Sequence, residues 1–270
     1  KRYIHIWDLT PSRTYIKLKE PYRNAFFIKA YKKTGDWNKL GKILNVKRPD
    51  TLLARNWKEG LCSFPLGIAL KICKFTNASR YDLEKNISEI RYKKRLNKRG
   101  GSSGKPLKNP RLPIKVNKNF IEIVGHICGD GSIPKSKTRT GRPLCYTNSQ
   151  IELIENFKGL INSVFGEAKP KTDIRTGEKY RRPNYALRYP TILSMILLIV
   201  FKGKQEPLEF PSYLLKTNES KISFLKAIYD DEGCIKTKQK QITLAMKSKN
   251  FVTGCKKTLK ELGIDSGKVT

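Results

Sequence analysis

Two stretches of the chain share one hydrophobic pattern. Each is an apolar helical run that ends in an acid and then a glycine: FIEIVGHICGDGS over 120–132 and FLKAIYDDEGC over 224–234. The acids, Asp130 and Glu232, lie 102 residues apart (232 − 130). A carboxylate in the last turn of a helix meets the negative end of the helix dipole, which costs about 0.3–1 kcal/mol. Two such acids on matched helices predict a repeat that brings them together around a divalent cation.

The pattern that follows each motif is also repeated. In the first repeat, helical spacing and alternation predict the order αββαββα, with elements at 119–131, 133–138, 143–147, 150–165, 168–174, 180–189 and 191–201. In the second repeat the strands are expected at 234–238 and 241–246 and the helix at 249–262, so we expect this copy to be incomplete in the 270 residues. The helix over 150–165 has an apolar face that we expect to point inward: Ile151, Ile154, Phe157, Leu160, Ile161 and Val164.

The first 90 residues are expected to form a separate, mainly helical unit. Residues 1–23 alternate loosely and predict strands or an irregular arm. Helices are predicted over 24–34, after the cap Asp36, from Pro49, and from Pro65.

Within 24–77, two short helices joined by a tight turn and followed by an apolar helix resemble phage-repressor-like helix-turn-helix domains. The resemblance implies that 48–58 is the recognition helix and that its major-groove residues are Arg48, Thr51, Arg55 and Asn56. An ordinary helical bundle with solvated basic residues is the alternative.

Charge gives the strongest signal from the whole composition. The chain has 56 Lys+Arg against 23 Asp+Glu, a formal net charge of +33. Because small domains stay soluble with a net charge of about 2–8, so large an excess favours a nucleic-acid partner, with a basic membrane-surface protein as runner-up. Residues 91–118 contain no acid and three prolines, which predicts a basic linker that contacts phosphates.

The sequence argues against a membrane-spanning protein and against a structural zinc site. The apolar run 192–201 is far shorter than the ~20 residues of a membrane span, so we expect a core helix and no membrane contact. The six cysteines form no CxxC pair, which argues against structural zinc and predicts free thiols in a reducing compartment.

The two acidic motifs carry a family resemblance. IVGHICGDG (123–131) and LKAIYDDEG (225–233) resemble the motifs of a single-chain, two-repeat LAGLIDADG homing endonuclease, each copy being followed by two strands and a helix. The resemblance covers 119–270. It implies an α+β fold with saddle-shaped antiparallel sheets, repeats at 119–218 and 219–270, and a monomer that cuts double-stranded DNA. We expect Gly125, Gly129 and Ala227 to let the two motif helices pack closely.

The resemblance also implies the site chemistry. Asp130 and Glu232 would bind Mg²⁺ or Mn²⁺, helped by the backbone carbonyls of Gly129 and Asp231, and water activated there would hydrolyse one phosphate on each strand. Polar residues at the end of the second strand of each repeat, Asn148 and Lys247, would assist catalysis.

Some residues depart from the family pattern. Asp231 is an acid where a small residue is usual, and it either adds a third carboxylate or disturbs the helix contact. Met246 and Ser149 stand where polar or basic residues are usual. We expect His126 to be a locally satisfied interface histidine rather than a catalytic base.

The exposed cations of the predicted sheets are expected to contact DNA, mostly at phosphates. They are Lys135, Lys137, Arg139, Arg142, Lys169, Lys171, Arg175, Arg181, Arg182, Arg188, Lys236, Lys238 and Lys240. Two other functions use the same surface: a non-cleaving DNA-binding regulator, and a maturase that binds intron RNA.

Overall fold

Two helices that pack against each other organise the C-terminal part of the protein: α5 (Lys118–Cys128) and α8 (Asn218–Glu232). The computed structural model describes residues 2–93, 105–133, 143–176, 182–201 and 209–269. Each helix begins at a polar cap, because the side chains of Asn117 and Thr217 accept hydrogen bonds from backbone N–H groups in the first turn. Both predicted motif helices are confirmed, and α8 begins before its predicted stretch.

The first repeat has the predicted αββαββα order, but its first strand lies at 131–132 rather than at the predicted 133–138, and residues 134–138 lie outside the described part of the chain. After α5 come β7 (Gly131–Ser132), β8 (Cys145–Asn148), α6 (Ile151–Phe165), β9 (Lys171–Arg175), β10 (Asn184–Arg188) and α7 (Thr191–Val200). The strands form one antiparallel sheet in the order β7-β8-β10-β9. The predicted inward face of α6 is buried except at Ile151, which is 42% exposed because it is the first residue of the helix.

The second repeat contributes α8, β11 (Gly233–Lys236), β12 (Gln241–Leu244) and α9 (Lys249–Glu261). β11 and β12 form an antiparallel hairpin. Phe251 and Cys255 bury one face of α9 against the common core. The order αββα matches the start of the first repeat, so the fold class is α+β, as predicted.

The N-terminal unit is not purely helical as predicted. The elements up to residue 115 are β1 (Tyr3–Ile4), β2 (Thr14–Leu18), α1 (Tyr22–Lys32), α2 (Trp37–Leu44), a π-helix (Asp50–Trp57), β3 (Phe64–Pro65), α3 (Leu66–Thr76), α4 (Arg80–Lys85), β4 (Ile87–Tyr92), β5 (Leu107–Lys108) and β6 (Ile114–Lys115). Four of these strands form an antiparallel sheet in the order β3-β2-β4-β5, and β1 pairs with β6. β1 and β2 lie within 1–23, where the loose alternation predicted strands or an irregular arm, and β2 is buried at four of its five positions.

The segment 24–77, which resembles helix-turn-helix domains in sequence, has helices where they were predicted, with altered details. Asp36 caps α2, since its side chain accepts a hydrogen bond from the backbone of Lys39 at 2.8 Å. The helix expected at 48–58 begins after Pro49, and Arg48 precedes it in a left-handed conformation (φ 52°). A Cβ on Gly41 would lie 2.5 Å from the Pro49 side chain, so α2 and the π-helix approach closely at this turn.

The segment 91–118 is not a free linker over its whole length. β4 extends through its first two residues, β5 pairs with β4, and β6 pairs with β1. Lys108 also exchanges backbone hydrogen bonds with Glu167 of the first repeat. A single hydrophobic core therefore runs through the N-terminal unit and both repeats. Residues 94–104 lie outside the described part of the chain.

Candidate active site

The two motif helices approach each other through small residues. A Cβ on Gly125 would lie 2.6 Å from the Cβ of Ala227 and 2.8 Å from the carbonyl oxygen of Phe224. A Cβ on Gly129 would lie 2.8 Å from the Cβ of Asp231. Real Cβ atoms do not approach other atoms so closely, so the sequence prediction of close helix packing at these residues is confirmed.

The paired acids occupy equivalent positions at the ends of these helices. Asp130 follows Gly129, the C-cap of α5, and Glu232 is the last residue of α8. The carbonyl of Asp130 accepts from the N–H of Thr147 at 3.2 Å, and that of Glu232 accepts from the N–H of Ala245 at 3.4 Å. Equivalent backbone hydrogen bonds, at or next to the second strand of each repeat, therefore fix the backbone of both acids. Both acids are partly exposed.

The electrostatics of the acids indicate a place for a cation. Burial, followed by the negative charges of Asp231 and Glu232, raises the pKa of Asp130 to about 7. Burial and Asp231 likewise raise the pKa of Glu232. Carboxyl groups whose negative charge is disfavoured in this way are stabilised by a divalent cation, for which carboxylate oxygens are the preferred protein ligands.

Asn148 joins Asp130 as predicted. Its side-chain amide donates to Oδ2 of Asp130 at 2.8 Å, which partly offsets the rise in the Asp130 pKa. Its own Oδ1 accepts from the N–H of Gln150 at 2.8 Å, so the amide orientation is set from both sides. Lys247, by contrast, lies exposed after β12, and no contact among the described residues joins its ammonium to either acid.

The side chain of Asp231 points into the helix interface and is fully buried. It accepts a hydrogen bond from the hydroxyl of Tyr146 at 2.7 Å and pairs with Nδ1 of His126 at 3.0 Å. This carboxylate is thus held by partners from the first repeat. The helices still pack closely around Asp231, so the alternative that it disturbs their contact is wrong, whereas its role as a third carboxylate of a metal site stays a prediction.

His126 lies at the interface, as predicted. It is fully buried, and its Nδ1 is satisfied by Asp231, whereas its Nε2 has no hydrogen-bond partner among the described residues. Tyr146, which the sequence reasoning missed, completes the cluster; burial is the first cause that raises its pKa. The available signal was its position two residues before Asn148, which places both side chains on one face of β8.

The polar cluster exists in only one half of the site. The residues at the positions equivalent to His126, Tyr146 and Asn148 are Ile228, Leu244 and Met246, respectively. Leu244 and Met246 pack against the hydrophobic core. The Asp130 half is therefore hydrogen-bonded and ordered by side chains, and the Glu232 half is bordered by apolar groups.

Three of the basic residues predicted for DNA contact lie on one sheet face. Strand pairing puts Lys171 opposite Arg188 and Arg175 opposite Asn184, so the three cations share the outer face of the first sheet. The other described members of the set are also exposed: Lys169, Arg182, Lys236, Lys238 and Lys240. Lys135, Lys137, Arg139, Arg142 and Arg181 lie outside the described residues.

The side chains proposed for the helix-turn-helix contact lie at the surface of the N-terminal unit. Arg48, Thr51 and Arg55 are exposed, and Asn56 is half-buried. Leu53 and Trp57 of the same helix are buried in the core. The helix therefore presents one polar face, and the reading of bases by that face stays a prediction.

The described residues contain no group of three or more His, Cys, Asp or Glu side chains arranged to hold a metal ion. Nor do they include a helix with both the length and the apolar character needed to cross a bilayer. The six cysteines all lie in the described residues, and no disulfide joins any two of them, as predicted.

The raised pKa of Asp130 predicts a pH dependence of stability. A carboxyl whose pKa is raised by folding binds its proton more tightly in the folded state, so the free energy of unfolding falls as pH rises from about 4 to about 7. We expect Asp130→Asn, measured by thermal unfolding in EDTA, to raise Tm by several degrees at pH 8 and by much less at pH 5. Glu155→Gln, on the exposed side of α6, is the control; a gain that shrinks towards pH 8 contradicts the expectation.

Comparison with known proteins places these features in context. Residues 219–269 match the family model of the LAGLIDADG-like domain. Among curated proteins, the chain is similar to glutamine–fructose-6-phosphate aminotransferase [isomerizing] of Methanocaldococcus jannaschii, with 27% identity over 187 residues. That alignment covers 66% of this chain and 15% of the aminotransferase, so the chain spans only a small part of this relative.

Solved structures of the homing endonuclease I-DmoI are also similar. A structure of its mesophilic variants has a TM-score of 0.40 and 19% identity, covering 56% of this chain and 80% of that chain. The complex of I-DmoI with DNA and Mn has the same TM-score and identity, covering 57% and 82%.

Proposed function

From the match of residues 219–269 to the LAGLIDADG-like domain and from the geometry of the site, we propose that the chain is a site-specific, metal-dependent endonuclease of double-stranded DNA. The observation that carries the proposal is the pair Asp130 and Glu232, placed by equivalent backbone bonds at the joined ends of two close-packed helices. A function that needs only DNA binding gives no reason to place two carboxylates where a phosphate backbone would lie.

The residues present suit Mg²⁺ or Mn²⁺. Mg²⁺ is commonly held by one or two carboxylates together with substrate phosphates, so a site with two side-chain acids fits it. Asp130 and Glu232 would supply these carboxylates, and we propose the backbone carbonyls of Gly129 and Asp231 as further oxygen ligands. When bound, the ion activates water and stabilises the charge that develops on the phosphate.

The surrounding side chains would orient these groups. Asn148 fixes Asp130 through the 2.8 Å bond from its amide, and it keeps that carboxylate turned towards the shared helix ends. Asp231, held by Tyr146 and His126, keeps the two helices in one register. We keep Lys247 as a proposed phosphate contact, because its exposed ammonium is free to turn towards bound DNA.

The DNA would lie along the basic sheet faces. Lys171, Arg175 and Arg188 on the first sheet and Lys236 on the second are exposed and positively charged, and the net charge of +33 supplies the attraction to phosphates. The exposed face of the π-helix, with Thr51 and Arg55, would extend the contact to a neighbouring stretch of duplex.

A selection from a random duplex library tests the proposal. We expect the protein to bind a preferred duplex in EDTA and to cut it only after Mg²⁺ or Mn²⁺ is added, because binding rests on the cations of the sheet and hydrolysis on the metal. Cleavage in EDTA would contradict the metal requirement. Tight binding with an intact duplex in Mg²⁺ would instead establish a non-cleaving regulator.

The regulator is the second candidate because of one observation. The half of the site around Glu232 has Leu244 and Met246 where the other half has Tyr146 and Asn148, so it lacks side-chain groups that orient a carboxylate. A third outcome of the same assay is a product with only one strand cut. That product would show that the protein is a nicking endonuclease. Preferential binding of structured intron RNA over any duplex would favour the maturase.

A further inference from the structure

One acid interrupts the basic outer face of the first sheet. Among the described residues of β7 to β10, Asp173 is the only acid whose strand position places it on that face. Its Oδ1 lies 3.3 Å from the Nζ of Lys171, and its Oδ2 lies 3.2 Å from an Nη of Arg188. A carboxylate here repels the proposed polyanionic ligand, so the ordinary phosphate-binding role of the face does not account for it.

The surroundings leave the Asp173–Arg188 pair accessible. Asp173 lies directly opposite Ala186 on β10, a residue whose side chain is a single methyl group. The side chain of Asp173 is 27% exposed and that of Arg188 is 42% exposed. The two therefore present one acceptor and one donor side by side on the face that would meet DNA.

This donor–acceptor pair matches the major-groove edge of one base pair. Cytosine presents the N4 amino donor there, and guanine presents the O6 and N7 acceptors. N4 and O6 are hydrogen-bonded to each other within the pair, so they lie about 3 Å apart. The separation of 3.2 Å between the carboxylate and guanidinium atoms is the same within a few tenths of an ångström.

We propose that Asp173 and Arg188 together read one C·G base pair, with Asp173 accepting from cytosine N4 and Arg188 donating to guanine. The inference rests on the proposed function, because it requires duplex DNA on this sheet. Lys171, the most exposed member of the group at 68%, balances the charge of Asp173 and is free to reach a phosphate. Asp173 is thus a specificity-determining residue within a face that otherwise supplies affinity.

The test compares binding-site selections, in EDTA so that no duplex is cut. Wild type, Asp173→Ala, Asp173→Glu and Arg188→Ala are each selected against the same randomised duplexes. We expect wild type to prefer C·G at one position and Asp173→Ala to lose about 5- to 150-fold of that discrimination, with other positions unchanged. Asp173→Glu should restore part of the preference, since glutamate also accepts from cytosine N4, and Arg188→Ala should relax the same position.

Three outcomes overturn the inference. If Asp173→Ala binds every duplex more tightly with an unchanged preferred sequence, the acid only screens its neighbours. If Arg188→Ala weakens binding equally for all sequences, the guanidinium contacts phosphate. If Glu155→Gln, the charge-matched control on α6, changes the same position, the effect is not local. If wild type binds no duplex at all, the proposed function fails together with the inference. If wild type binds duplex DNA but one of these three outcomes occurs, only the inference fails.

Discussion

Asp130→Asn and Glu232→Gln should each bind the selected duplex as tightly as wild type and cut it at least about a hundredfold more slowly. Both substitutions keep the size of the side chain, so the helix contact and the sheet face are preserved. Each removes one of the two negative charges that would hold the metal ion, and the loss of one well-placed electrostatic group typically costs a factor of about 10²–10³ in rate. Binding should survive, because the cations that meet phosphate lie on other residues.

Cleavage of a supercoiled plasmid that carries the selected site distinguishes the contributions of Asp130 and Glu232 to the cutting of each strand. Relaxed circles report one cut strand and linear product reports two, and end-labelled strands show which acid serves which cut. Because Asn148 orients only Asp130, we expect the strand served by that acid to be cut first in wild type. Glu155→Gln should cut normally. A variant of either acid that retains full linearisation would remove that residue from the proposed metal site.

Gly125→Val should lower the free energy of unfolding by about 3 kcal/mol or more, the second large effect that we expect. An added Cβ meets the Cβ of Ala227 and the carbonyl oxygen of Phe224, and the backbone atom cannot rotate away. Replacing glycine within a helix usually gains up to about 1 kcal/mol, but overpacking a tight contact costs about 1–3 kcal/mol even for a small group. The clash is therefore expected to outweigh the gain, and the two extra methyl groups of valine add to it.

Gly159 provides a matched control for this prediction. It lies inside α6, and a Cβ there would meet nothing within 4 Å. Gly159→Ala should raise the free energy of unfolding by up to about 1 kcal/mol, whereas Gly125→Ala should lower it. Urea unfolding followed by circular dichroism measures both. Equal gains for the two alanine variants would mean that the helices do not approach as closely as described.

The repeats could be predicted from sequence because their signals are local. The apolar spacing of the motif helices and the alternating residues after each motif lie within a few residues of the element that they specify. Asn148 was named only through the family resemblance, and the structure places its amide 2.8 Å from Oδ2 of Asp130.

Most of the N-terminal sheet could not be predicted in this way, although the alternation in 1–23 allowed strands where β1 and β2 lie. Its strands β3 and β5 are two residues long, and they are defined by pairing with β2 and β4 across long stretches of chain. Such short segments carry no periodicity. The basic composition of 91–118 predicts a linker and conceals the pairing of 114–115 with the first strand.

The role of Asp231 was beyond sequence reasoning for a different reason. Its neighbours in the chain are acids, which suggests a metal ligand, but its side-chain partners come from residues 126 and 146. A partner separated by 105 residues leaves no pattern in one sequence. Only the packing of the two helices reveals that this carboxylate serves the interface.

That contact makes the pairing of the two repeats directional. If two copies of the first repeat associated about the same axis, each His126 would face the Gly129 of the other copy, and no carboxylate would reach either ring. A buried polar group without its partner costs about 1–3 kcal/mol, and the symmetric pair would incur this cost twice. The Asp231 contact thus favours association of unlike repeats, and it disfavours association of the first repeats of two neighbouring molecules.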